Sequence, residues 1–506
     1  MDEAGHPAPD RVERFTGRSL VGLVAVVGVG SGFGLLLMLV RFGWKPLYRV
    51  DHGVADWLNG IVSAHRPVVT ALTALTALGG RPVMIWLVVI VVIGLLIRGQ
   101  RRLAAYLVVT GVGALMLDPS LKLIVGRLRP VVDMPVASAP GNSFPSGHAL
   151  GSIVTYGALL LIFLPVAPRR LRAVTIAAFA AIVVLVGFTR VALGVHYVSD
   201  VLAGWLLGLA WLGVTAYAFR LWRREVGEAV PAITEGIEPE AAGEIAPAPH
   251  ERHMLPHPRA GLAELVTGWV LIFGALFVFG MLVSRYADGT VVETVDDAVP
   301  RWLANHRTPV LDDVSWWLSR AGDTHAILAV SLVFCPLVLA ILRRWRPVVF
   351  VALALIGELS LFLASAAAVD RPRPDVSHLD DRLPTSSFPS GHIAATICLY
   401  TAIAIIVMPR TDRWWRWVTV VAAVLMPAAV TASRIYRGMH HPTDVLGAVL
   451  LAAMWMTLLW WVVRPDAEDT ANAAPEQEQS RPTTPASVSA APSDGRGRPP
   501  RWREAP

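Results

Sequence analysis

The sequence contains little charge and almost no cysteine. Of its 506 residues, 16% are charged, 54% are hydrophobic and only two are cysteines. A soluble globular domain carries about 25% charged residues, so this composition excludes an ordinary soluble protein. Cys335 and Cys398 both lie in apolar runs. They form no metal-binding or redox pattern, and we interpret them as small residues that face lipid or the protein core.

Lysine is also rare. Lys45 and Lys122 are the only lysines among 44 basic residues, so most of the positive charge comes from arginine. A net charge of +6 would suggest nucleic-acid binding in a soluble protein. Here the arginine-rich cytoplasmic loops of a membrane protein explain the charge better, and no nucleic-acid partner is expected.

What the sequence has is long apolar runs, and about 20 residues suffice to cross a bilayer. The first run, from Ser19, is too long for the apolar part of a cleavable signal peptide and is interpreted as a signal anchor. Six runs lie in each half of the chain, near residues 19–41, 82–97, 103–123, 149–167, 172–189, 198–219, 263–285, 325–342, 347–368, 392–408, 416–433 and 442–463. The sequence therefore predicts an all-α membrane protein of two tandem six-helix transmembrane bundles, with about 12 spans.

Clusters of arginine indicate the orientation of these spans. They lie in five loops, within residues 98–102, 169–172, 220–224, 343–346 and 410–416. Cytoplasmic loops collect arginine, and all five loops fall on one side of the membrane if the N-terminus is cytoplasmic. We therefore expect a multi-pass protein of the cell (plasma) membrane with both termini in the cytoplasm.

Composition divides the chain into four parts. Residues 1–224 form the first six-helix unit and residues 261–465 the second. Between them, residues 225–260 are rich in Pro, Ala and Glu and are predicted to be a disordered cytoplasmic linker. Residues 466–506, rich in Pro, Ala and Ser, are predicted to be a disordered cytoplasmic tail.

The two units repeat one set of motifs. The hexapeptide SFPSGH occurs at residues 143–148 and again at residues 387–392, 244 positions later. At the same offset, KLIVGRLRP from Lys122 corresponds to AAAVDRPRP from Ala366, and TRVALGVHYVSD corresponds to SRIYRGMHHPTD. A shared offset across three separate motifs indicates duplication of a six-helix unit.

The motif residues suit a phosphate group. Ionisable groups close to the hydrocarbon are costly and are candidates for function. Lys122, Arg129 and Arg190 can bind phosphate oxygens. Ser146 and Gly147 open a helix, where backbone N–H groups and the helix dipole attract an anion.

Two histidines and a carboxylate accompany these cations. His196 and Asp200 are four residues apart, so the carboxylate can fix the tautomer of the imidazole and leave one ring nitrogen free as a nucleophile. His148 directly follows the helix start. One histidine would attack phosphorus and the other would protonate the leaving oxygen, but the residues alone do not say which. No cluster has metal-ligand spacing, so no metal or cofactor is expected.

These motifs resemble the signature of the type 2 phosphatidic acid phosphatase superfamily of integral membrane phosphatases. That signature is Lys-x6-Arg-Pro, then Pro-Ser-Gly-His, then Ser-Arg-x5-His-x3-Asp, and the first half departs from it only at Thr189. The resemblance implies a six-helix unit with an active site facing the extracytoplasmic side. It also implies metal-independent hydrolysis of a lipid phosphate or diphosphate.

The resemblance implies individual roles as well. His196 would attack phosphorus to form a phosphohistidine, Asp200 would orient it, and His148 would be the general acid for the leaving group. The phosphoryl oxygens would be held by Lys122, Arg129, Arg190 and the backbone amides of Ser146 and Gly147.

The second half keeps most of this set but lacks the lysine. Ala366 stands where the signature requires lysine, and Asp370 replaces Gly126. The remaining catalytic positions are His392, His440 and Asp444, and the remaining phosphate-binding positions are Arg373, Ser390, Gly391 and Arg434. Losing one charged hydrogen bond costs about 1.5–3 kcal/mol. We therefore expect the first half to be the main site and the second to be weaker or altered in substrate.

Three other readings are open. Twelve helices in two halves also fit a secondary transporter, although transporter sites usually lie at mid-membrane. The anion site is similar to that of vanadium haloperoxidases, which are typically soluble. The second half could also be a non-catalytic lipid-binding module. The expected partners are the bilayer and a lipid phosphate or diphosphate. The lipid could be undecaprenyl diphosphate, phosphatidic acid or phosphatidylglycerol phosphate, and the sequence does not distinguish among them. The sequence also predicts no oligomeric state.

Overall fold

The structure is a computed structural model of the chain, and it describes residues 11–228, 232–247, 258–287, 289–381 and 385–465, with side chains from residue 24 onward. Regular secondary structure in these ranges is helical throughout. The first half contains α1 (Arg11–Arg41), α2 (Lys45–Ser63), α3 (Arg66–Thr76), α4 (Arg81–Ile97), α5 (Arg101–Val125), α6 (Gly147–Phe163), α7 (Arg172–Ala192) and α8 (Val198–Glu225). After the short α9 (Ala242–Ile245), the second half contains α10 (Pro258–Arg285), α11 (Val291–Asn305), α12 (Pro309–Arg320), α13 (Thr324–Leu342), α14 (Arg346–Val369), α15 (Gly391–Val407), α16 (Arg416–Tyr436) and α17 (Pro442–Val463).

Twelve of these helices correspond to the predicted spans. Ten are long and apolar enough to cross a membrane, and α4 and α6 are apolar helices of 17 residues, at the lower length limit for a span. The first bundle is formed by α1 and α4 to α8, and the second by α10 and α13 to α17. The predicted all-α membrane fold of two six-helix units is confirmed.

Each half also has a pair of helices that the apolar runs did not predict. The pair α2 and α3 lies between the first two spans and is bent by 118° at its break, and α11 and α12 occupy the same place in the second half. The buried residues of α2 are Asp51, Ala55, Asn59 and Val62. Their spacing of three or four residues places them on one face of the helix, so α2 lies on the bundle with its other face exposed.

The three motifs of each half lie at one end of its bundle. In the first half the motif residues are at the end of α5, the start of α6, the end of α7 and the start of α8. The arginine clusters lie at the other ends of these helices, because they precede α5, precede α7 and follow α8. The motifs and the arginine clusters are therefore separated by the length of the spans.

Part of the predicted linker packs at the arginine-rich end. Residues 232–247 form short helical turns, in which Ile237 is buried. Arg98 of the first half donates to the Glu244 carbonyl at 2.9 Å, and Arg343 of the second half donates to the Ala246 carbonyl at 2.9 Å. This described part differs from the disorder expected for the linker, because an apolar side chain and two arginines bind it to the bundles. The predicted tail lies outside the described residues.

The two bundles meet through small residues. Helix α4 of the first half contacts α13 of the second. A Cβ atom added at Gly94 would lie 3.5 Å from the Cβ atom of Ala340. Small residues at such a crossing allow two membrane helices to approach closely, so the two units pack side by side along these helices.

We expect that removing one carboxylate will detach α2 from the bundle. Asp51 is fully buried and accepts hydrogen bonds from the Ser199 backbone N–H at 3.0 Å and from Arg127 at 2.8 Å. Breaking a buried ion pair by deleting one partner costs about 3–5 kcal/mol. Asp51→Ala should therefore lower the midpoint of thermal unfolding, followed by tryptophan fluorescence in detergent micelles. Asp56→Ala, at an exposed position of the same helix, is the matched control. Equal midpoints for the two variants would contradict this role.

Candidate active site

The predicted residues of the first half are brought together by a chain of contacts. Gly126 ends α5 in the left-handed conformation, with φ of 65°, which turns the chain out of the helix. The following loop returns to α5, because the side-chain amide of Asn142 donates to the Lys122 carbonyl at 2.7 Å. At the start of α6, the Ser146 backbone N–H donates to the Asp200 carbonyl at 2.9 Å. These contacts join the ends of α5, α6 and α8.

His196 lies at the centre of this arrangement, in the turn between α7 and α8. Its imidazole is buried, with Nδ1 3.5 Å from Asp200 Oδ2, which is long for a hydrogen bond. On the other side of the ring, Arg129 Nη1 lies 3.1 Å from Nε2. Because a guanidinium can only donate, Nε2 is the unprotonated nitrogen. Its lone pair therefore points towards the cationic side of the site.

Burial determines the protonation state of this imidazole. Loss of solvent lowers the pKa of His196 to about 4, and the Asp200 carboxylate only partly offsets that effect. The ring is therefore neutral near pH 7. A neutral imidazole with a free Nε2 is chemically able to act as a nucleophile.

Asp200 is held by an arginine outside the predicted site set. Arg127 Nη1 donates to Asp200 at 2.6 Å, and its Nη2 donates to Asp51 of α2 at 2.8 Å. The Ser143 hydroxyl and the Tyr197 backbone N–H also donate to Asp200. The Arg127 guanidinium lies 4.3 Å from the Tyr197 ring centroid, close enough for a cation–π contact. The predicted orienting carboxylate is thus itself fixed by α2 and by the loop after α5.

Lys122 has a carboxylate partner that the sequence analysis did not single out. Asp118, one helical turn earlier in α5, is buried, and its Oδ1 lies 2.9 Å from Lys122 Nζ in an ion-pair contact without hydrogen-bond geometry. Arg81 of α4 donates to the other carboxylate oxygen at 2.5 Å. A Cβ atom added at Gly147 would lie 2.7 Å from Asp118, so glycine is required there. The signal was present: an aspartate four residues before a lysine inside an apolar helix.

Two predicted phosphate-binding groups are already used by the protein. Because the Ser146 amide donates to Asp200, it is not available to a phosphate, which corrects the expected role of that amide. The Ser146 hydroxyl is buried without a hydrogen-bond partner among the described residues and can donate instead. Arg129 also donates to four backbone carbonyls, those of Val195, Pro140, Gly141 and Asn142, at 2.7–3.4 Å, so it holds its own loop as well as facing His196.

The other two predicted residues complete the site. Arg190, in the last turn of α7, donates through Nη1 to Thr76 at 2.9 Å, and its Nε is buried with no partner among the described residues. Unpaired buried donors are costly, which favours an anionic ligand here. His148 lies in the first turn of α6. Its ring makes no hydrogen bond within the described part of the chain, and it is available to a ligand.

The second half reproduces the histidine and carboxylate arrangement. His440 Nδ1 lies 2.8 Å from the Ser387 carbonyl, so Nδ1 carries the proton and Nε2 is free. Burial lowers the pKa of His440 to about 4. Arg371 donates to Asp444 at 2.6 Å and to Asp296 of α11 at 2.7 Å. Arg373, Ser390, Gly391, His392 and Arg434 occupy the positions of their first-half counterparts.

The second half differs in the groups that would face a phosphate. Ala366 replaces the lysine, and Phe362 takes the place of Asp118, its ring within 3.1 Å of a Cβ atom added at Gly391. Arg434 Nη1 donates to Asp380 at 2.7 Å, and Arg437 donates to the same carboxylate at 2.6 Å. The matching positions of the first half hold Val136 and Leu193, which belong to an apolar cluster. In the second half, the Asp380 carboxylate therefore binds Arg434, a residue that was predicted to bind phosphate.

Comparison with known proteins identifies the repeated unit. The family model described as the PAP2 superfamily matches residues 102–224 and, a second time, residues 347–467. Phosphatidylglycerophosphatase B of Bacillus subtilis (strain 168) is 35% identical over 188 residues, which are 37% of this chain and 91% of that protein. An undecaprenyl-diphosphatase of Sulfolobus acidocaldarius is 36% identical over 123 residues, or 23% of this chain and 55% of that protein.

Two further proteins were found to be similar. A lipid A 1-phosphatase of Rhizobium johnstonii is 39% identical over 127 residues, or 23% of this chain and 48% of that protein. The crystal structure of a transmembrane PAP2-type phosphatidylglycerolphosphate phosphatase from Bacillus subtilis covers 42% of this chain and 98% of its own, with 21% identity and a TM-score of 0.34. Since the family model matches both halves and one relative is matched over nearly its whole length, this chain belongs to the PAP2 superfamily and contains its unit twice.

Proposed function

We propose that this protein is a lipid phosphatase whose main active site is that of the first half. The observation that carries the proposal is the buried, neutral His196, whose free Nε2 lies 3.1 Å from Arg129 while Nδ1 faces Asp200. A nucleophile and an anion-binding cation are thus adjacent. The names of the relatives state activity on phosphatidylglycerophosphate, undecaprenyl diphosphate and lipid A 1-phosphate. Their shared chemistry is a phosphate or diphosphate carried on a lipid.

The reaction follows from these positions. The phosphoryl oxygens bind Lys122, Arg129, Arg190 and the Ser146 hydroxyl. Nε2 of His196 attacks phosphorus and the P–N bond forms. The bond from phosphorus to the leaving oxygen breaks as His148, which is protonated when the negatively charged phosphate lies beside it, gives that oxygen a proton. His148, now neutral, takes a proton from water, which attacks the phosphohistidine, breaks the P–N bond and releases inorganic phosphate. Asp200 stabilises the positive charge on the imidazole during both steps.

The charges at the site are supplied by side chains, and we propose hydrolysis without a metal ion. Within the described residues, no group of three or more His, Cys, Asp or Glu side chains is placed to hold one. Lys122 and Arg190, whose Nε is buried without a described partner, provide positive charge where a transferring phosphoryl group needs it.

The second half is proposed to be the weaker or altered site. It has the histidine, the orienting carboxylate and the supporting arginine. It lacks the lysine at Ala366, and Asp380 already binds Arg434. Asp380 competes with a phosphate for the Nη1 group of Arg434, and only its Nε and Nη2 groups are buried without a described partner. With no lysine beside them, phosphate binding at this site is proposed to be weaker.

The active sites are proposed to face the extracytoplasmic side. The support is that the arginine-rich loops and the motifs lie at opposite ends of the spans, and that arginine collects in cytoplasmic loops. On this basis both termini are cytoplasmic, and the lipid head group is hydrolysed at the outer surface of the plasma membrane.

Replacing the two attacking histidines one at a time tests the proposed function. His196→Ala should lower phosphate release from a lipid phosphate by about a thousandfold or more, because the nucleophile is lost, whereas His440→Ala should leave most of the activity. The measurement is release of inorganic phosphate from phosphatidic acid, phosphatidylglycerol phosphate and undecaprenyl diphosphate in detergent micelles, with and without a chelator. Full activity of His196→Ala and loss in His440→Ala would reverse the ranking of the halves. Loss of activity with the chelator would contradict the metal-free reaction.

The low pKa of His196 predicts the acid limb of the pH profile. The nucleophile is the neutral form, so lowering the pH through the pKa removes it. Because burial lowers that pKa to about 4, kcat/KM should begin to fall only near pH 4, rather than near the value of about 6.5 for an unperturbed histidine. Circular dichroism at each pH shows whether the fold persists. An acid limb between pH 6 and 7 in the folded protein would argue against a buried neutral nucleophile.

Cysteine labelling tests the orientation. In a chain with Cys335→Ala and Cys398→Ala, the exposed positions Ser138, beside the motifs, and Arg170, in an arginine-rich loop, are each changed to cysteine. A membrane-impermeant maleimide should label Ser138→Cys on intact cells and Arg170→Cys only after permeabilisation. The opposite pattern would place the active sites in the cytoplasm.

A further inference from the structure

Each half has a groove between corresponding helices, and of the two only the second-half cavity is lined by a carboxyl group among the described residues. The first-half groove, of about 270 Å³, lies between α4, α5 and α6, and the second-half cavity, of about 300 Å³, lies between α13, α14 and α15. The first is lined by Met84, Ile85, Ala114, Leu115 and Gly151, among others. Their counterparts 243 or 244 residues later, Ile327, Leu328, Glu358, Leu359 and Ala395, line the second. The duplication has therefore placed a carboxyl group where the first half has Ala114.

Glu358 is a buried carboxyl group in the middle of α14. Its side chain is 3% exposed, and its Oε1 is buried without a hydrogen bond to any described residue. An unpaired polar group inside the membrane is costly, and an ionisable residue in a spanning helix is a candidate for function. Among the described residues that line this cavity, Glu358 is the only carboxylate and Arg373, at the motif end, the only arginine or lysine. A bound molecule is therefore the available source of a hydrogen bond.

The cavity connects Glu358 with the site of the second half. Arg373, Gly391, His392 and His440 line the same cavity. Glu358 lies eight residues before Ala366 in α14, which is about 12 Å along the axis at 1.5 Å per residue. A ligand with its phosphate at Arg373 and His440 would extend its apolar part past Glu358. That part must carry a hydrogen-bonding atom to satisfy the carboxyl group.

We propose that this cavity is a binding site for an acylglycerol phosphate, with its phosphate at Arg373 and His440 and an ester or hydroxyl oxygen hydrogen-bonded to Glu358. Polyprenyl phosphates have no polar atom below the phosphate and would leave Glu358 unpaired. A site with a buried polar group discriminates strongly against a ligand that lacks the matching group. The first-half groove, with Ala114, carries no such restriction. The proposal rests on the proposed binding of lipid phosphates at the motif residues, and it makes the second half selective for acylglycerol phosphates while the first half accepts either lipid.

The test separates binding from turnover. The full chain carrying His196→Asn and His440→Asn, which remove the nucleophiles but keep a hydrogen-bond donor at each position, is titrated in detergent with dioctanoyl phosphatidic acid or with farnesyl phosphate, and native mass spectrometry counts the lipids bound. Glu358→Ala should weaken one binding step for dioctanoyl phosphatidic acid by about three- to tenfold, the worth of one hydrogen bond, and change farnesyl phosphate binding less than twofold. Glu358→Gln keeps an N–H donor and should bind dioctanoyl phosphatidic acid like the parent chain. Leu359→Ala, at the neighbouring cavity position, is the control and should affect both lipids alike.

A reciprocal variant tests the first half. Ala114→Glu should weaken one binding step for farnesyl phosphate by about three- to tenfold, because a buried carboxyl group would then face its chain. Equal effects of Glu358→Ala on both lipids, or no effect on either, would overturn the proposal. An altered unfolding midpoint in Glu358→Ala without a change in binding would assign the residue to stability alone and would also overturn it.

The same experiments distinguish this proposal from the proposed function. If the unmutated chain releases no phosphate from any lipid, the phosphatase proposal fails, but binding that depends on Glu358 can still be observed and would support the lipid site. If neither probe binds to the parent chain, the lipid site is overturned as well.

Discussion

The site depends on a buried arginine held between two buried carboxylates. Arg127 donates to Asp51 of α2 and to Asp200 of α8 at 2.8 and 2.6 Å, and both carboxylates are fully buried. Without that cation the two carboxylates would be buried negative charges with no ion-pair partner, which is a costly arrangement. The network therefore joins three parts of the chain that are far apart in sequence. It also fixes the carboxylate that faces His196, so the position of the nucleophile depends on it.

Both halves have this framework, and they differ around it. Arg371 joins Asp296 and Asp444 in the second half at 2.7 and 2.6 Å, as Arg127 does in the first. The changes fall on groups that would touch a ligand, at Ala366 and at Asp380. Duplication has thus left the support of the histidine in place while the ligand contacts have diverged. This separation is physically reasonable, because the support is a closed set of buried charges that tolerates no single loss.

The spans and the motif residues could be predicted from the sequence because their signals are local. Long apolar runs specify spans, and a constant offset reveals the duplication. The helices α2 and α11 could not be found in this way, because polar residues interrupt their apolar residues in every turn. The burial of Asp51 depends on its ion pair with Arg127, which lies 76 residues later in the chain. The occupied Ser146 amide depends on where α8 places the Asp200 carbonyl. Asp380 lies 54 residues from Arg434, and no sequence pattern links them. Glu358 was visible as one carboxylate in an apolar run, but only the cavity shows what it could contact.

The structure also changes the meaning of the missing lysine. Lys122 is paired with Asp118, and the second half lacks both residues, because Ala366 and Phe362 replace them. Losing Lys122 and Asp118 together leaves the net charge of the site unchanged. The second half adds a different pair, Asp380 and Arg437, which again adds no net charge. Asp370 in place of Gly126 adds one negative charge to the second half, and the two sites differ further in which charges are free to meet a phosphate. In the first half, Lys122 is paired with Asp118 beside the start of α6. In the second half, Asp380 binds Arg434, and the carboxyl group of Glu358 lies deeper in the cavity. Selectivity between lipids can arise from this rearrangement while the chemistry of the histidine stays the same.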